Sequence, residues 1–191
     1  MTEQKTILLV DDEPSIRIIS SALLRRAGYE TVVAADGFEA LQKIREKIPD
    51  LVITDLRMPN MNGFELLAVL RSQFPHVPAI AISGEFLAHD LNIAPLADAF
   101  FQKGSYTPPD LHKKIAELLE APPKRGNGTN TGTVWAPTGD APVMLTCTKC
   151  LRTFPIQPCG TGGLEKTTVC IFCGAELQFE LVAIGVTQSK Q

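Results

Sequence analysis

Short apolar runs alternate with helix-like segments through the first 120 of the 191 residues in this chain. The runs occupy residues 5–10, 29–35, 51–55, 79–83 and 99–102. Short runs of this kind between helical segments are typical of parallel strands that are buried on both faces. Because each run is followed by a helical segment, the alternation predicts an α/β domain with a doubly wound, five-stranded parallel sheet and right-handed crossovers.

The predicted helices have recognisable starts and stops. Pro14 begins the first, which ends at Gly28, and the Asp36-Gly37 turn leads into the second, which continues to about residue 47. Further helices are predicted over residues 64–74 and 109–119. The helix between these two is short, because Pro95 closes the segment 85–94 that is available to it.

Polar side chains follow four of the predicted strands, at the ends where each run stops. Asp11 and Asp12 follow the first run, and Asp55 ends the third. Ser83 ends the fourth run, and Lys103 follows the fifth. In an open parallel sheet, ligands bind in the crevice beyond the carboxyl ends of the strands. Three carboxylates, a hydroxyl and an ammonium group there predict a site for a divalent cation and a phosphoryl group.

Each of these residues also has a simpler explanation when it is taken alone. An acidic pair before a helix is favoured by the helix macrodipole, and a serine or a lysine after a strand is ordinary in a loop. Asp55 is the strongest single signal, because a carboxylate that closes a buried strand costs stability unless it is paired or metal-bound. Separate explanations do not predict convergence at one edge of a sheet, so the pattern favours a shared site.

Four short motifs occur at characteristic spacings in residues 5–120. They are Asp11-Asp12, Asp55 followed by Met58-Pro59-Asn60-Met61-Asn62-Gly63, Ser83-Gly84, and Phe100 three places before Lys103. Together they resemble the receiver domain of two-component response regulators, over about three fifths of the chain. The resemblance implies a CheY-like, flavodoxin-like fold with strand order 2-1-3-4-5. It also implies a phosphoacceptor signalling protein that is not an enzyme beyond its own phosphorylation and dephosphorylation.

The resemblance further implies a role for each motif residue. Asp55 would accept a phosphoryl group from a sensor histidine kinase or a phosphotransfer protein, and Lys103 would neutralise charge on the transferred oxygens. Ser83 would donate its hydroxyl to the phosphoryl group, and Phe100 would turn inward as Ser83 moves. The groups implied to hold Mg²⁺ are Asp12, Asp55, the backbone carbonyl of Arg57, and Asp11 through a water molecule.

The sequence departs from the family pattern at two of these positions. The lysine is normally followed by a proline in a cis peptide, whereas Lys103 is followed by Gly104. Phe100 lacks the hydroxyl of the more common tyrosine. Gly104 and the short helix predicted within residues 85–94 keep open the alternative of a degenerate receiver that acts as a docking scaffold.

The composition changes after residue 120. Residues 121–142 contain four Pro and four Gly, which predicts a flexible linker between a receiver domain (1–120) and a second domain (143–184). Residues 185–191 are predicted to form a disordered tail. Trp135 is the one large side chain of the linker, and is either loosely held or part of a short docking segment.

The second domain contains a paired cysteine motif. Cys147 and Cys150 form one C-x₂-C pair, and Cys170 and Cys173 form another after 19 intervening residues, which is spacing expected of a structural zinc site. A segment of this size cannot build an adequate core unaided, so metal binding would supply its folding energy. The arrangement resembles a zinc ribbon, with iron as the alternative metal. Cys159 is left over, either as a free thiol or as an alternative ligand.

Charge and hydropathy limit the partners of the chain. The net charge is −3, which gives no general electrostatic case for nucleic acid or an anionic membrane. No apolar run approaches the roughly 20 residues of a membrane span, and the N-terminus lacks the apolar region of a signal peptide, so we expect a cytoplasmic protein without a membrane partner. Residues 143–184 are neutral, which favours a downstream protein partner over nucleic acid as the target of the ribbon. A transcription-type regulator with a nucleic-acid-binding ribbon is the alternative.

Overall fold

The computed structural model describes residues 4–84, 96–123, 131–135, 143–156 and 166–179. The chain divides into two compact units, Met1–Gly128 and Thr129–Gln191, and each is described by itself. Within the described ranges, no helix has both the length and the apolar character required to cross a membrane.

The first unit is a five-stranded sheet covered by helices. Its strands are β1 (Thr6–Val10), β2 (Glu30–Ala34), β3 (Leu51–Asp55), β4 (Ala79–Ser83) and β5 (Ala99–Gln102), and its described helices are α1 (Pro14–Arg26), α2 (Gly37–Glu46), α3 (Gly63–Gln73) and α4 (Pro108–Glu120). All strand pairs are parallel and their order is β2-β1-β3-β4-β5, which confirms the predicted sheet. The short helix predicted over 85–94 lies outside the described residues.

The central strands are mostly apolar because both faces of the sheet are covered. Every residue of β1, β3 and β4 is buried. On one face, Leu9, Ile53 and Ile82 from neighbouring strands pack with Leu24 of α1 and Ile115 of α4. These contacts hold the strands in register, since a shift by one residue would exchange the side chains of the two faces and disrupt the packing on both. The polar residues that follow the strands are thereby held at one edge.

A buried arginine fastens the opposite end of β4 and β5 to α3. Arg71 donates from Nη2 to Asp98 Oδ2 at 2.8 Å, from Nη1 to the Val77 carbonyl at 3.0 Å and from Nε to the Leu96 carbonyl at 2.5 Å. Asp98 also accepts from the Ala79 backbone N–H at 2.8 Å. The two charged side chains are 10% and 6% exposed, and each partner of this largely buried ion pair also forms hydrogen bonds with backbone groups.

The second unit contains a second five-stranded sheet. Its strands are β6 (Thr131–Trp135), β7 (Val143–Thr146), β8 (Thr153–Ile156), β9 (Lys166–Val169) and β10 (Glu176–Phe179), in the order β8-β7-β6-β10-β9. β6 and β10 are parallel, and the other pairs are antiparallel. Leu145, Phe154, Ile156 and Leu177 form its small apolar core with two of the cysteines.

The strand β6 lies inside the segment predicted to be a flexible linker. Its backbone pairs with β7, where Trp135 is opposite Met144, and with β10. The prediction of a continuous linker over 121–142 is therefore wrong at these five residues. Threonine, valine and tryptophan favour strands, and the surrounding proline and glycine residues masked this local preference. The predicted tail, 185–191, lies outside the described residues.

Candidate functional site

Three carboxylates converge at the carboxyl edge of the first sheet. One oxygen from each of Asp11, Asp12 and Asp55 lies within 4.8 Å of the others. Asp11 follows β1 and Asp55 ends β3, and these strands are neighbours in the sheet, which brings their ends together. Asp11 and Asp55 are buried, whereas Asp12 is exposed at the mouth of the cluster. Such a set of hard oxygen donors matches the preference of Mg²⁺.

Lys103 joins two of these carboxylates. Its Nζ atom lies 2.5 Å from Asp55 Oδ2 and 3.0 Å from Asp11 Oδ2. The backbone N–H of Lys103 donates to the Ser83 carbonyl at 2.8 Å, which holds the loop after β5 against the end of β4. Burial lowers the pKa of Lys103, but hydrogen bonds and charges from Asp55 and Asp11 outweigh it, and the net pKa is raised. The ammonium group therefore stays charged at neutral pH.

Asp11 is held by both its side chain and its backbone. Burial raises the pKa of its carboxyl, while a hydrogen bond from the Glu13 N–H (2.9 Å) and the ammonium of Lys103 oppose that rise. Arg17 of α1 donates from Nη1 to the Asp11 carbonyl oxygen at 2.6 Å. Sequence reasoning did not identify Arg17, because nothing local to it indicates that α1 reaches back over the acidic loop.

The backbone of Asp55 passes very close to Gly63. A Cβ atom at position 63 would overlap the Asp55 carbonyl oxygen, and it would lie 2.8 Å from Leu56 Cα. The Gly63 N–H also donates to the Leu56 carbonyl at 3.1 Å, and the Arg57 N–H donates to Asp55 Oδ1 at 3.2 Å. The motif that contains Gly63 was recognised in the sequence, and the structure supplies its physical reason: only glycine permits this approach.

The two predicted switch residues lie on neighbouring strands. Ser83 is the last residue of β4 and is buried. Phe100 is half-buried in β5, in register with Ala81. The adjacent Phe101 points to the opposite face of the sheet, where its ring packs on Tyr106 with a centroid distance of 4.9 Å.

Tyr106 is a second residue that sequence reasoning missed. It lines a cavity of about 180 Å³ together with Asp11, Asp55 and Lys103. Burial raises the pKa of the Tyr106 hydroxyl, with a further rise from Asp11 and an opposing effect of Lys103. The sequence signal was weak, because a tyrosine in a loop between a strand and a helix is ordinary.

Gly104 adopts a conformation that proline cannot. Its φ angle is +82°, in the left-handed region, and the Ser105 N–H donates to the Gln102 carbonyl at 3.0 Å to close a turn. Proline is confined to φ near −65°. In the parts of the chain that the structure describes, every peptide bond is trans. The loop after Lys103 therefore differs in shape from the pattern expected for the family, while the contacts of the Lys103 ammonium group are made.

A family model described as "Response regulator receiver domain" matches residues 7–115, which is more than half of the chain. The chain belongs to this receiver family. It is 35% identical over 120 residues to the DNA-binding response regulator MtrA of Mycolicibacterium smegmatis, an alignment that covers 62% of this chain and 52% of MtrA. It is 43% identical over 81 residues to the transcriptional regulatory protein ZraR of Klebsiella oxytoca, covering 42% of this chain and 18% of ZraR. The chain thus spans about half or less of the length of these curated relatives.

Solved receiver structures agree with the fold of the first unit. The receiver domain protein (CheY-like) of Methanospirillum hungatei has 32% identity and a TM-score of 0.57, covering 62% of this chain and 95% of that one. The response regulator TrrA of Thermotoga maritima, solved in complex with Mg²⁺ and beryllofluoride, has 35% identity and a TM-score of 0.54, covering 60% of this chain and 99% of that one.

Outside the receiver match, the second unit brings its two cysteine pairs together. Cys147 Sγ lies 3.7 Å from Cys173 Sγ, and Cys150 Sγ lies 3.7 Å from Cys170 Sγ. All four sulfur atoms lie within 4.8 Å of one another, and none of the four cysteines forms a disulfide. A tetrahedral site with Zn–S bonds of about 2.3 Å has S–S edges of about 3.8 Å, so the observed spacing fits a four-thiolate metal site.

The two cysteine turns repeat the same hydrogen bonds. In the first, the Leu151 N–H donates to the Cys147 carbonyl at 2.9 Å, and in the second, the Gly174 N–H donates to the Cys170 carbonyl at 2.9 Å. Leu151 and Gly174 occupy equivalent positions and both have positive φ, +54° and +71°. A positive φ is unusual for a leucine, and the side chain of Leu151 is buried.

The sulfur atoms differ in their local environment. Burial raises the pKa of Cys147 to about 12. Burial also opposes ionisation of Cys170, but hydrogen bonds from the Phe172 and Cys173 N–H groups lower its pKa to about 7. A metal ion would replace the protons of all four thiols. Cys159, predicted to be a free thiol or an alternative ligand, lies outside the described residues.

Proposed function

We propose that this chain is a phosphorylation-controlled response regulator in which Asp55 accepts a phosphoryl group. The observation that carries the proposal is the contact of the Lys103 ammonium with Asp55, at 2.5 Å, beside the three-carboxylate cluster. A carboxylate that attacks an anionic phosphoryl group meets like-charge repulsion, so a nearby fixed cation is needed. A degenerate docking scaffold does not require a cation at this position, so the contact favours phosphoryl transfer over that alternative.

The proposed reaction is transfer from a phosphohistidine of a sensor kinase or a phosphotransfer protein. An oxygen of Asp55 forms a bond to phosphorus while the phosphorus–nitrogen bond breaks. The electron pair of that bond returns to the imidazole, which takes up a proton from solvent. The product is an aspartyl phosphate, and Lys103 offsets charge on the transferred oxygens.

Mg²⁺ fits the donor set at this site. We propose that Asp12, Asp55 and the backbone carbonyl of Arg57 bind it directly, and that Asp11 acts through water. The cation supplies charge neutralisation at the phosphoryl oxygens when bound. The convergence of three carboxylate oxygens within 4.8 Å supports this assignment, as does the Mg²⁺–beryllofluoride complex of the related regulator TrrA.

Ser83 and Phe100 are proposed to transmit the phosphorylated state. The Ser83 hydroxyl would donate to a phosphoryl oxygen, and its displacement would let Phe100 turn inward. The position of Ser83 on the strand next to β3 supports this role, since Asp55 is in register with Ile82, one residue before Ser83.

The test is phosphorylation of the full chain with Mg²⁺ and a small acyl phosphate, followed by intact mass. We expect one phosphoryl group on the wild type, none on Asp55→Asn, and an unchanged result for Glu46→Gln. Glu46 is an exposed carboxylate at the end of α2, so its loss controls for the change in net charge. Phosphorylation of Asp55→Asn at the wild-type level would show that Asp55 is not the acceptor.

We further propose that the four cysteines bind one structural zinc ion. The 3.7 Å sulfur spacings and the matched turns support this site, and iron is the alternative, since its geometry is the same. Metal analysis of protein purified without added metal is expected to give one zinc per chain, and Cys150→Ser is expected to lose it. A stoichiometric visible absorption band in the purified protein would indicate iron instead.

The zinc-bound unit is proposed to serve as the output module by binding protein. Ile171 and Phe172 in the second cysteine turn are 71% and 47% exposed, which suits an apolar contact. The guanidinium of Arg152 lies 5.3 Å from the centre of the Phe172 ring and covers one face of it, which leaves less of that ring for stacking on a base. Binding of DNA by the full chain at physiological salt, abolished by Arg152→Gln and Lys149→Gln, would favour the transcription-type alternative.

A further inference from the structure

The second sheet has two outer edges that differ in their capacity to pair with another strand. β8 forms one edge, and β9 forms the other. An exposed edge presents unpaired backbone N–H and C=O groups, and proteins commonly block such edges with proline or charge. Hydrogen-bonded and non-hydrogen-bonded residue pairs alternate along an antiparallel pair of strands. On an edge strand, the residues of the non-hydrogen-bonded pairs therefore direct their backbone N–H and C=O groups outward.

The β8 edge is blocked. The Cys147 N–H donates to the Arg152 carbonyl at 3.0 Å, in register with the β7–β8 pairing, so this is a hydrogen-bonded pair. Because the two kinds of pair alternate, Leu145 and Phe154 also form a hydrogen-bonded pair, whereas Met144 and Pro155 form a non-hydrogen-bonded pair. The nitrogen of Pro155 therefore points outward, where it has no hydrogen to donate.

The β9 edge contains no proline, and its one charged residue, Lys166, is at the end of the strand. The Cys170 N–H donates to the Ala175 carbonyl at 2.8 Å, in register with the β9–β10 pairing. By the same alternation, Thr168 directs its backbone groups at β10, while Thr167 and Val169 direct theirs outward. Within the described ranges, β10 is the strand that pairs with β9. Val169 is also 53% exposed.

We propose that the β9 edge pairs, antiparallel, with β9 of a second copy of this chain. The outward backbone groups of Thr167 and Val169 are self-complementary. A two-fold axis through Thr168 places Thr167 opposite Val169 of the other copy, and Val169 opposite Thr167 of the other copy. Both pairs are of the hydrogen-bonded kind. Thr168 then faces its own counterpart, and threonine pairs across strands are favourable. In this register no charged residue of β9 lies opposite itself, since Lys166 falls opposite position 170.

The proposed contact is short, so the dimer is expected to be reversible and to depend on concentration. It joins two sheets edge to edge and is isologous, which closes the assembly at two copies, because the β8 edges are blocked by Pro155. The proposal rests on the metal-bound fold of the second unit proposed above and is independent of phosphoryl transfer. Metal content is therefore measured on every sample, so that loss of the fold and failure to dimerise are distinguished.

The test combines sedimentation equilibrium with cross-linking on the zinc-loaded full chain. We expect a monomer–dimer equilibrium for the wild type and a monomer for Thr167→Pro, which removes an outward N–H and leaves the β9–β10 ladder intact. Under mild oxidation, Thr168→Cys is expected to form a covalent dimer, since it lies on the axis. Val169→Cys is the matched control. In the proposed dimer, position 169 lies opposite position 167 of the other copy and two positions away from its own counterpart, so this variant is expected to cross-link at least ten-fold less.

A wild-type chain that stays monomeric at every concentration, with one zinc bound, would overturn the proposal. So would a dimer that survives Thr167→Pro, or equal cross-linking at positions 168 and 169, because either result places the contact elsewhere. If Thr167→Pro loses its metal, the comparison of cross-linking in Thr168→Cys and Val169→Cys alone decides the outcome. Wild-type protein oxidised in parallel accounts for disulfides formed by its own cysteines.

Discussion

Replacement of Gly63 by alanine tests the geometry of the acidic site most directly. The added Cβ would overlap the Asp55 carbonyl oxygen and lie 2.8 Å from Leu56 Cα and 2.9 Å from the Asp55 carbonyl carbon. Carbon atoms in contact normally stay about 3.5 Å apart or more, so the contact with Leu56 Cα alone requires a backbone movement of about 0.7 Å, and the overlap with the Asp55 oxygen requires more. The atoms in the way are all backbone, which leaves no flexible side chain to absorb the movement.

The displaced segment is the one that carries Asp55. We expect Gly63→Ala to cost about 3 kcal/mol, as for overpacked cores, and to lower the melting temperature of the first unit by about 10 °C. The contact of Asp55 with Lys103, 2.5 Å, would lengthen, and the affinity for Mg²⁺ and beryllofluoride would fall at least about ten-fold.

The assays are thermal unfolding followed by circular dichroism at 222 nm and calorimetric titration with beryllofluoride. All described helices belong to the first unit, so the ellipticity reports on it. Gly84→Ala is the matched control beside the same site, because among the described residues its Cβ would meet Lys103 side-chain carbons at 3.8 Å, an ordinary contact. A Gly63→Ala variant that melts and binds like the control would refute this reasoning.

Three further predictions concern other described residues. Burial raises the folded pKa of Glu65 above its ordinary 4.5, so its stabilising contribution is complete below pH 4.5 and is lost as pH rises through the folded pKa. Glu65→Gln should therefore raise the melting temperature at pH 7, with a gain that shrinks towards pH 4.5; equal effects at both pH values would count against it. Gly104→Pro should weaken beryllofluoride binding more than Gly104→Ala, because proline cannot adopt φ of +82°; wild-type affinity in the proline variant would contradict this. Leu151→Gly relieves about 1–2 kcal/mol of backbone strain but loses about 3–4 kcal/mol of buried side chain, so zinc retention in a chelator competition should fall about ten-fold or more; tighter retention would show that strain dominates.

The sheet and the polar residues at its edge were predictable because their signals are local. A buried parallel strand is a short apolar run, and Asp55 and Lys103 stand at the ends of such runs. The topology of a parallel sheet then places those ends at one edge, so no long-range information was needed. The spacing of Cys147 and Cys150, and of Cys170 and Cys173, likewise predicted that these four cysteines come together.

The residues that sequence reasoning missed depend on contacts between distant segments. Arg17 reaches the Asp11 carbonyl from α1, and Tyr106 lines the cavity from the loop that follows Gly104, whose φ is positive. β6 was missed for a related reason. Its pairing with β10, more than 40 residues away, outweighs the proline and glycine content around it.

The ion pair between Arg71 and Asp98 lies at the end of the first sheet opposite to the acidic cluster. Its hydrogen bonds hold the amino ends of β4 and β5 to α3. Ser83 and Lys103 lie at the other ends of these strands, about 13–16 Å away at roughly 3.3 Å per residue. We therefore expect a displacement at the acidic cluster to be taken up in the loops at the carboxyl edge, while the amino ends of these strands stay in place.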